Sequence, residues 1–339
     1  MRAWQTVKSG RPADALVLND DVAPPEPGPG TVALEVLAAG IGLPDVFMCQ
    51  GNYALTPSTL PFTQGQEVVG RIVGWGEGVE NRRVGDRVMA VTSFFTGHGS
   101  FAEQCLGLDG FCLPVPDEMT DAEGAAFLIP YHTAYLGLAT RGKLAAGETL
   151  VVLGGAGGTG SAALQVGKAL GARVIAIVGS PEKAEFCRSL GADQVIDRRV
   201  EDIVEGVRAA TDGRGADVIY DPVGGEAFTH ATKCIAHEGR ILAIGFASGS
   251  WGQVDTAHLV YQNYSVVGVI PSDYDRAFKE RVQEQLVAWW REGTLRCAVE
   301  ELVPFEGLSD ALERLVAGRV KGKLALAVDP AASAPPRSA

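Results

Sequence analysis

Residues 148–172 read ETLVVLGGAGGTGSAALQVGKALGA. An apolar strand pattern leads into a Gly-rich turn, in which Gly155, Gly157 and Gly160 have GxGxxG spacing, and a helix pattern of small residues follows. Such glycines allow a tight turn, close approach of the backbone to a pyrophosphate and close packing of the helix on the strand. The helix start also offers N–H groups and a positive dipole end to phosphate oxygens. The pattern predicts a dinucleotide site, with contacts from Gly155, Ala156, Gly157, Gly158, Thr159 and Gly160.

The residues after the second strand of this pattern bear on the choice between NAD and NADP. Enzymes that use NAD usually carry an acidic residue there, which accepts hydrogen bonds from the ribose hydroxyls. This chain has Gly179 and Ser180 instead, followed by Lys183 and, after a third strand pattern, Arg198. The three polar side chains can donate hydrogen bonds to the 2′-phosphate of NADP. NADPH is therefore the predicted cofactor, although Glu182 leaves NAD open and Lys183 has the alternative role of a solvated surface residue.

The same alternation of strand and helix patterns extends over residues 125–262 and predicts an α/β fold with a doubly wound parallel sheet. Residues 1–124 contain short alternating runs with many Gly and Pro residues, which are typical of a β-rich domain. Residues 263–329 are too few for a third domain, so we expect them to complete the first one. We expect residues 330–339 to form a flexible tail.

Bulk composition excludes several classes of protein. The 339 residues exceed the size at which a single core usually stops growing, which favours two domains. A net charge of -12 disfavours binding to nucleic acid. The chain shows neither a signal-peptide core nor a long apolar stretch, which predicts a cytoplasmic protein without membrane contact. The six cysteines show no paired spacing, which indicates reduced thiols.

Several ordered blocks across the chain carry a resemblance to a known family. They include GIGLPDVFMCQGNY (40–53), PFTQGQEVVGRIVGWGEGV (61–79), LIPYHTAY (128–135), SPEKAEFCRSLGAD (180–193) and KGKLAL (321–326). In this order they resemble the medium-chain dehydrogenase/reductase superfamily, specifically its zinc-free quinone oxidoreductases, the relatives of zeta-crystallin. The resemblance implies a GroES-like β-rich catalytic domain, split around a Rossmann cofactor domain. It also implies a homodimer joined through strands such as SVVGVI (265–270).

The resemblance also bears on zinc. Zinc-dependent members hold the metal with a Cys, a His and a further Cys in blocks where this chain has Gly42, Gln66 and the run Tyr131 to Thr133. Neutral glutamine is a poor zinc ligand, and no thiolate remains to complete a tetrahedral site. His98 and His132 could in principle bind a metal, but single histidines are more often structural. We therefore expect no metal.

Without zinc, the favoured reaction is hydride transfer from NADPH to a conjugated carbonyl such as a quinone, enone or enal. The charge left on such an acceptor is delocalised, so hydrogen-bond donors suffice where an alcohol or simple ketone needs a Lewis acid. The resemblance places Tyr53 in the substrate cleft and Asp45 near the nicotinamide, and both are candidate catalytic residues. Their alternative roles are packing for Tyr53 and capping of a helix for Asp45.

The remaining candidates would contact the cofactor. Thr133 and Lys323 match family residues near it, with helix packing and solvation as their respective alternatives. Gly245 and Phe246 follow a strand of the parallel sheet, at the edge where such sheets bind ligands. Phe94, Phe95 and Tyr264 are candidates for apolar lining of the substrate cleft.

Two other functions remain open from sequence. One is reduction of an enoyl thioester or polyketide, which requires room for a long pantetheine arm. The other is binding of NADPH with little turnover, in a structural or regulatory protein.

Overall fold

The computed structural model describes residues 1–332, which divide into two compact units. Unit 1 comprises residues 1–129, 275–280 and those from 297 onward, and unit 2 comprises residues 130–274 and 281–296. The strands are β1 Ala3–Thr6, β2 Leu16–Asn19, β3 Thr31–Ile41, β4 Glu67–Trp75, β5 Arg87–Val91, β6 Gln104–Leu108, β7 Leu113–Pro114, β8 Thr149–Leu153, β9 Arg173–Val178, β10 Gln194–Asp197, β11 Ala216–Asp221, β12 Ile235–Ala243, β13 Ser265–Gly268, β14 Val299–Pro304 and β15 Lys323–Ala327. The α-helices are α1 Pro12–Ala15, α2 Leu43–Gln50, α3 Asp121–Ala125, α4 Leu128–Tyr135, α5 Gly158–Ala169, α6 Pro181–Ser189, α7 Ile203–Ala210, α8 Gly225–Cys234, α9 Thr256–Gln262, α10 Arg276–Arg291 and α11 Leu308–Val316.

Unit 1 is built on a seven-stranded sheet in the order β14-β15-β3-β4-β5-β7, with β6 also paired to β3. Its pairs are antiparallel except β14 with β15. Strand β3 is almost entirely buried and packs with α2 and α11 around a single apolar core. The end of β3 lies between the first residues of β4 and β15, since Gly40 pairs with Glu67 and Ile41 with Leu324. This register brings residues distant in sequence together in unit 1.

Unit 2 contains a parallel sheet in the order β10-β9-β8-β11-β12-β13. This is the strand order of a Rossmann domain, in which ligands bind beyond the carboxyl ends of the strands. All five residues of β8 are buried, because helices cover both faces of such a sheet. The predicted α/β fold, with a GroES-like unit and a Rossmann unit, is confirmed.

The structure differs from the sequence-based boundary at residue 263. Strand β13 was expected to complete unit 1, but it pairs in parallel with β12 at the edge of the sheet of unit 2. Residues 281–296 likewise pack with unit 2. The physical reason is that β13 satisfies the backbone hydrogen bonds along the free edge of β12, a pairing that no local pattern encodes.

Residues 329–332, the last that the structure describes, form a turn. The N–H of Ala332 donates to the carbonyl oxygen of Asp329 at 3.0 Å, and the N–H of Ala331 to its carboxylate at 2.8 Å. The rest of the expected flexible tail, residues 333–339, lies outside the described residues. Within residues 1–332, no helix has both the length and the apolar character needed to cross a membrane. The six cysteines are buried and carry free thiols.

Candidate active site

The turn between β8 and α5 is shaped by two glycines that the protein's own packing requires. A Cβ atom on Gly155 would lie 2.9 Å from the Cβ of Ala176 in β9. A Cβ atom on Gly160 would lie 2.3 Å from the carbonyl oxygen of Gly154. The N–H of Gly155 also donates to the carbonyl oxygen of Ile177 at 3.0 Å, which fixes the turn over β9. A side chain at Gly155 would collide with β9, and one at Gly160 would collide with the backbone of the turn itself.

Gly157 differs from the other two glycines. It is exposed, its backbone is extended with φ -80°, and an added Cβ would come no nearer than 3.4 Å to Gly154. The fold itself therefore does not require glycine here. Gly157 caps α5, whose first-turn amides at Gly158, Thr159 and Gly160 receive no acceptor from the helix itself. These amides and the open space at Gly157 fit a pyrophosphate.

The polar residues predicted for the 2′-phosphate meet at the carboxyl end of β9. An added Cβ on Gly179 would lie 3.4 Å from Nε of Arg198, so the guanidinium lies directly over the glycine. Ser180 caps α6, and its Oγ accepts a hydrogen bond from the N–H of Lys183 at 3.2 Å. Arg198 is exposed and Lys183 is half-buried. The structure thus gathers these residues around the start of α6.

Gly245 and Phe246 follow β12 at the carboxyl edge of the sheet, as expected. The N–H of Gly245 donates to the carbonyl oxygen of Asp221 at 3.3 Å, and an added Cβ would lie 3.1 Å from the carbonyl oxygen of Pro222. The ring of Phe246 stacks on Trp251, with centroids 4.6 Å apart. Both residues therefore lie at the edge of the sheet that binds ligands in this fold.

Helix α4 carries Thr133 and His132, and both side chains are buried. Nε2 of His132 lies 2.8 Å from Oε1 of Gln283, with which it forms a buried hydrogen bond. This hydrogen bond gives His132 a structural role, which was the alternative to metal binding. His98, the other histidine considered there, is exposed.

Lys323 of unit 1 belongs to a buried ion pair that sequence reasoning did not predict. Nζ of Lys323 donates to Oε1 of Glu67 at 2.5 Å, and both side chains are nearly inaccessible. Lys323 is therefore not solvated. Across the end of β3, an added Cβ on Gly42 would lie 3.8 Å from the same Nζ. The sequence did hold a signal for this ion pair, since Lys323 begins an apolar strand pattern. A lysine that is buried in a strand needs a carboxylate partner.

Asp45 lies beside this ion pair and is 1% exposed. Its Oδ2 accepts from the N–H of Gly42 at 2.8 Å and so caps α2, as the alternative role proposed. Its buried Oδ1 has no hydrogen-bond partner among residues 1–332. Burial raises the pKa of Asp45 to about 7, against the lowering effects of the Gly42 amide and Lys323, while Glu67 raises it further.

Tyr53 belongs to a small aromatic cluster in the same unit. Met48, Phe62 and Phe94 form its buried part, and Tyr53 packs against them with its ring centroid 6.4 Å from that of Phe94. Phe95 is exposed and contacts Phe94 edge-on at 5.6 Å. Tyr53 is therefore half-buried, with a ring that packs on an apolar surface. Tyr53 can therefore pack through its ring and still form a hydrogen bond through its hydroxyl group.

The resemblance to zinc-dependent members drew attention to Gly42 and Gln66, which stand in the blocks that hold the metal there. Gly42 has no side chain, and Nε2 of Gln66 lies 3.9 Å from Sδ of Met48. The nearby thiol of Cys49 accepts from Nε2 of Gln64 at 3.2 Å, and burial raises its pKa to about 11, so it is neutral at physiological pH. Among residues 1–332, no group of three or more His, Cys, Asp or Glu side chains is arranged to hold a metal ion.

Comparison with known proteins agrees with this architecture. Residues 28–117 match the alcohol dehydrogenase GroES-like domain, and residues 158–289 match the family described as zinc-binding dehydrogenase. The chain is 30% identical to quinone oxidoreductase-like protein 2 homolog of Nematostella vectensis, over 96% of this chain and 89% of that protein.

Solved structures extend the comparison. A probable oxidoreductase from Mycobacterium abscessus is 36% identical and has a TM-score of 0.82, covering 96% of this chain and 98% of that one. The quinone oxidoreductase of Escherichia coli, solved with NADPH, is 26% identical and has a TM-score of 0.89, covering 96% of this chain and all of that one. The chain therefore belongs to the quinone oxidoreductase family of the medium-chain dehydrogenase/reductase superfamily and is an oxidoreductase.

Proposed function

We propose that this protein uses NADPH to reduce quinones or other conjugated carbonyls, such as enones and enals, without zinc. The observation that carries the proposal is the turn at Gly157, where open space and first-turn amides suit a pyrophosphate and the fold itself needs no glycine. The NADPH complex of the E. coli relative and the names of the other relatives support the choice of cofactor and acceptor.

The residues of unit 1 support the part of the proposal that excludes zinc. In the zinc-dependent members that the chain resembles, a thiolate and an imidazole hold the metal, and Gly42 and Gln66 supply neither. A conjugated acceptor delocalises the charge it gains, so a hydrogen-bond donor can replace the metal. We assign that donor to the phenol of Tyr53, which packs against apolar side chains where a hydrogen bond is strong.

The residues of unit 2 would hold the cofactor. The amides after Gly157 would bind the pyrophosphate, Arg198, Lys183 and Ser180 the 2′-phosphate, and Thr133, Gly245 and Phe246 the nicotinamide end. NADPH itself supplies the hydride. We propose no direct contact of Lys323 with the cofactor, because its ammonium is already paired with Glu67.

The function is tested by following the loss of NADPH absorbance with benzoquinone, phenanthrenequinone, a short enal and crotonyl-CoA. We expect turnover with the quinones or the enal, unaffected by chelators, from protein that contains no stoichiometric zinc. Preference for crotonyl-CoA would instead indicate an enoyl-thioester reductase. Binding of NADPH with turnover of none of the four would indicate a binding protein.

Cofactor preference gives a separate prediction. Replacing Lys183 and Arg198 by alanine should raise KM for NADPH at least about tenfold, roughly 1.4 kcal/mol of binding, and change KM for NADH less than about twofold. The matched control is Arg199→Ala, since Arg199 pairs with Asp197 instead. Steady-state kinetics with both cofactors measures the effect. Equal increases for NADPH and NADH would contradict the assignment.

We also propose a homodimer formed through β13. This strand lies at the edge of the sheet, and its neighbourhood exposes Val260, Tyr261 and Ile270, which are 65%, 82% and 60% accessible. Pairing of β13 with a second copy would extend the sheet and cover these side chains. Light scattering should give about twice the chain mass of 35.5 kDa, and Tyr261→Asp should shift the protein toward a monomer. A wild-type mass equal to one chain would exclude this dimer.

A further inference from the structure

The carboxylate of Glu67 contacts two segments that are distant from it in the chain. Its Oε1 accepts a hydrogen bond from Nζ of Lys323 on β15 at 2.5 Å. Its Oε2 accepts a second hydrogen bond, from the backbone N–H of Ile129, at 3.3 Å. The side chains of Glu67 and Lys323 are only 6% and 11% exposed. The oxygen of this ion pair that does not face the lysine is thus bonded to a backbone amide.

That amide belongs to the first turn of α4, in which Ile129 is the second residue. First-turn amides find no acceptor within their own helix, so an acceptor from elsewhere in the protein stabilises the helix end. Pro130 has no N–H, which leaves the first three residues of α4 with two amide donors. A carboxylate at this end also interacts favourably with the helix dipole. Glu67 therefore caps α4, although it precedes Ile129 by 62 positions.

The backbone that leads into α4 packs closely on the sheet beside Glu67. Gly40 on β3 pairs with Glu67 on β4. An added Cβ on Gly40 would lie 2.2 Å from the carbonyl oxygen of Ala125 and 3.0 Å from Cβ of Glu67. Ala125 ends α3 and lies four residues before Ile129. Oγ of Ser100 donates to the carbonyl oxygen of Glu67 at 2.8 Å. Both partners of the capping hydrogen bond are thus attached to the sheet.

We propose that Glu67 is a positioning residue for the nicotinamide end of the cofactor: it fixes the start of α4 and thereby the place of Thr133. Thr133 lies one helical turn after Ile129 and is buried. The inference rests on the proposed function for the contact of Thr133 with the nicotinamide. Lys323 supports this arrangement, because its ammonium balances the charge of a carboxylate that is buried at this point. Glu67 thus acts on the cofactor through α4.

The first test needs no ligand and compares two double variants. E67Q/K323M removes both buried charges but keeps a side-chain oxygen for the amide of Ile129, whereas E67M/K323M removes that oxygen as well. Neither variant leaves a single buried charge, so both should fold. Hydrogen exchange of the Ile129 amide, followed by NMR, should be at least about fivefold faster in E67M/K323M than in E67Q/K323M. Equal exchange, or an unprotected amide in the wild type, would overturn the proposal.

The second test separates the nicotinamide end from the rest of the cofactor. Adenosine 2′,5′-bisphosphate carries the 2′-phosphate of NADPH and lacks the nicotinamide. E67M/K323M should bind NADPH about fivefold more weakly than E67Q/K323M does, and both should bind the bisphosphate equally well. With a quinone, kcat of E67M/K323M should also be roughly tenfold lower. A variant that is only less well folded loses affinity for both ligands, and that result contradicts a positioning role.

Thr133→Val distinguishes failure of this inference from failure of the proposed function. It should weaken NADPH binding and leave both the bisphosphate affinity and the exchange of the Ile129 amide unchanged. If Thr133→Val weakens NADPH binding but the two double variants bind NADPH equally, the positioning role of Glu67 is wrong and the proposed function stands. If Thr133→Val binds NADPH normally, the contact assigned to Thr133 in the proposed function is wrong, and the positioning role of Glu67 fails with it.

Discussion

Gly157→Ala should weaken the binding of NADPH about 100-fold, roughly 2.7 kcal/mol, without destabilising the fold. The added methyl group meets only the carbonyl oxygen of Gly154, at 3.4 Å, and the extended backbone at φ -80° suits any residue. The same methyl group would occupy the space through which the backbone must approach the pyrophosphate. Fluorescence titration with NADPH and thermal unfolding of the free protein measure the two effects separately.

Two further glycines serve as controls for this prediction. Gly160→Ala should lower the melting temperature, because its methyl group would lie 2.3 Å from the carbonyl oxygen of Gly154. Gly74→Ala places a methyl group in open space in unit 1 and should change neither binding nor stability. Normal NADPH affinity in Gly157→Ala would show that the pyrophosphate does not bind at this turn.

Asp45→Asn should alter the pH dependence of the free energy of unfolding. We expect a larger change than for the other conservative substitutions proposed for this protein. The pKa of Asp45 is about 7 in the folded protein, because burial outweighs its hydrogen bond from Gly42, and near 3.8 when unfolded. Between these two values the folded state binds one proton more than the unfolded state, so the free energy of unfolding falls as pH rises. The full effect is about 4 kcal/mol, with a slope of up to about 1.4 kcal/mol per pH unit.

The change is measured by urea denaturation between pH 4 and 8, with both proteins compared at each pH. Asparagine keeps the shape of the side chain and can still accept from Gly42, so Asp45→Asn should gain stability relative to the wild type as pH rises. Neighbouring Tyr53 and Cys49 do not titrate in this window, because burial raises the pKa of both, that of Cys49 to about 11. Asp117→Asn, at an exposed site of unit 1, should show no such trend. Parallel curves for Asp45→Asn and wild type would refute the prediction.

Gly157 and Asp45 differ in how far their roles could be predicted from the sequence. The turn follows from local spacing, because each glycine acts on atoms a few residues away. Asp45 gave two possible roles from sequence, and only the packed structure shows that it caps α2 while its other oxygen is buried. The environment of a side chain depends on which distant segments pack over it.

The sequence by itself determined the family, the two kinds of domain and the phosphate turn, because these depend on short-range patterns of glycine and apolar residues. The tertiary structure decided that β13 joins the sheet of unit 2 and that Lys323 meets Glu67 across 256 positions of chain. Strand pairing and burial set these contacts, and both are properties of the assembled sheet that no local stretch of residues contains.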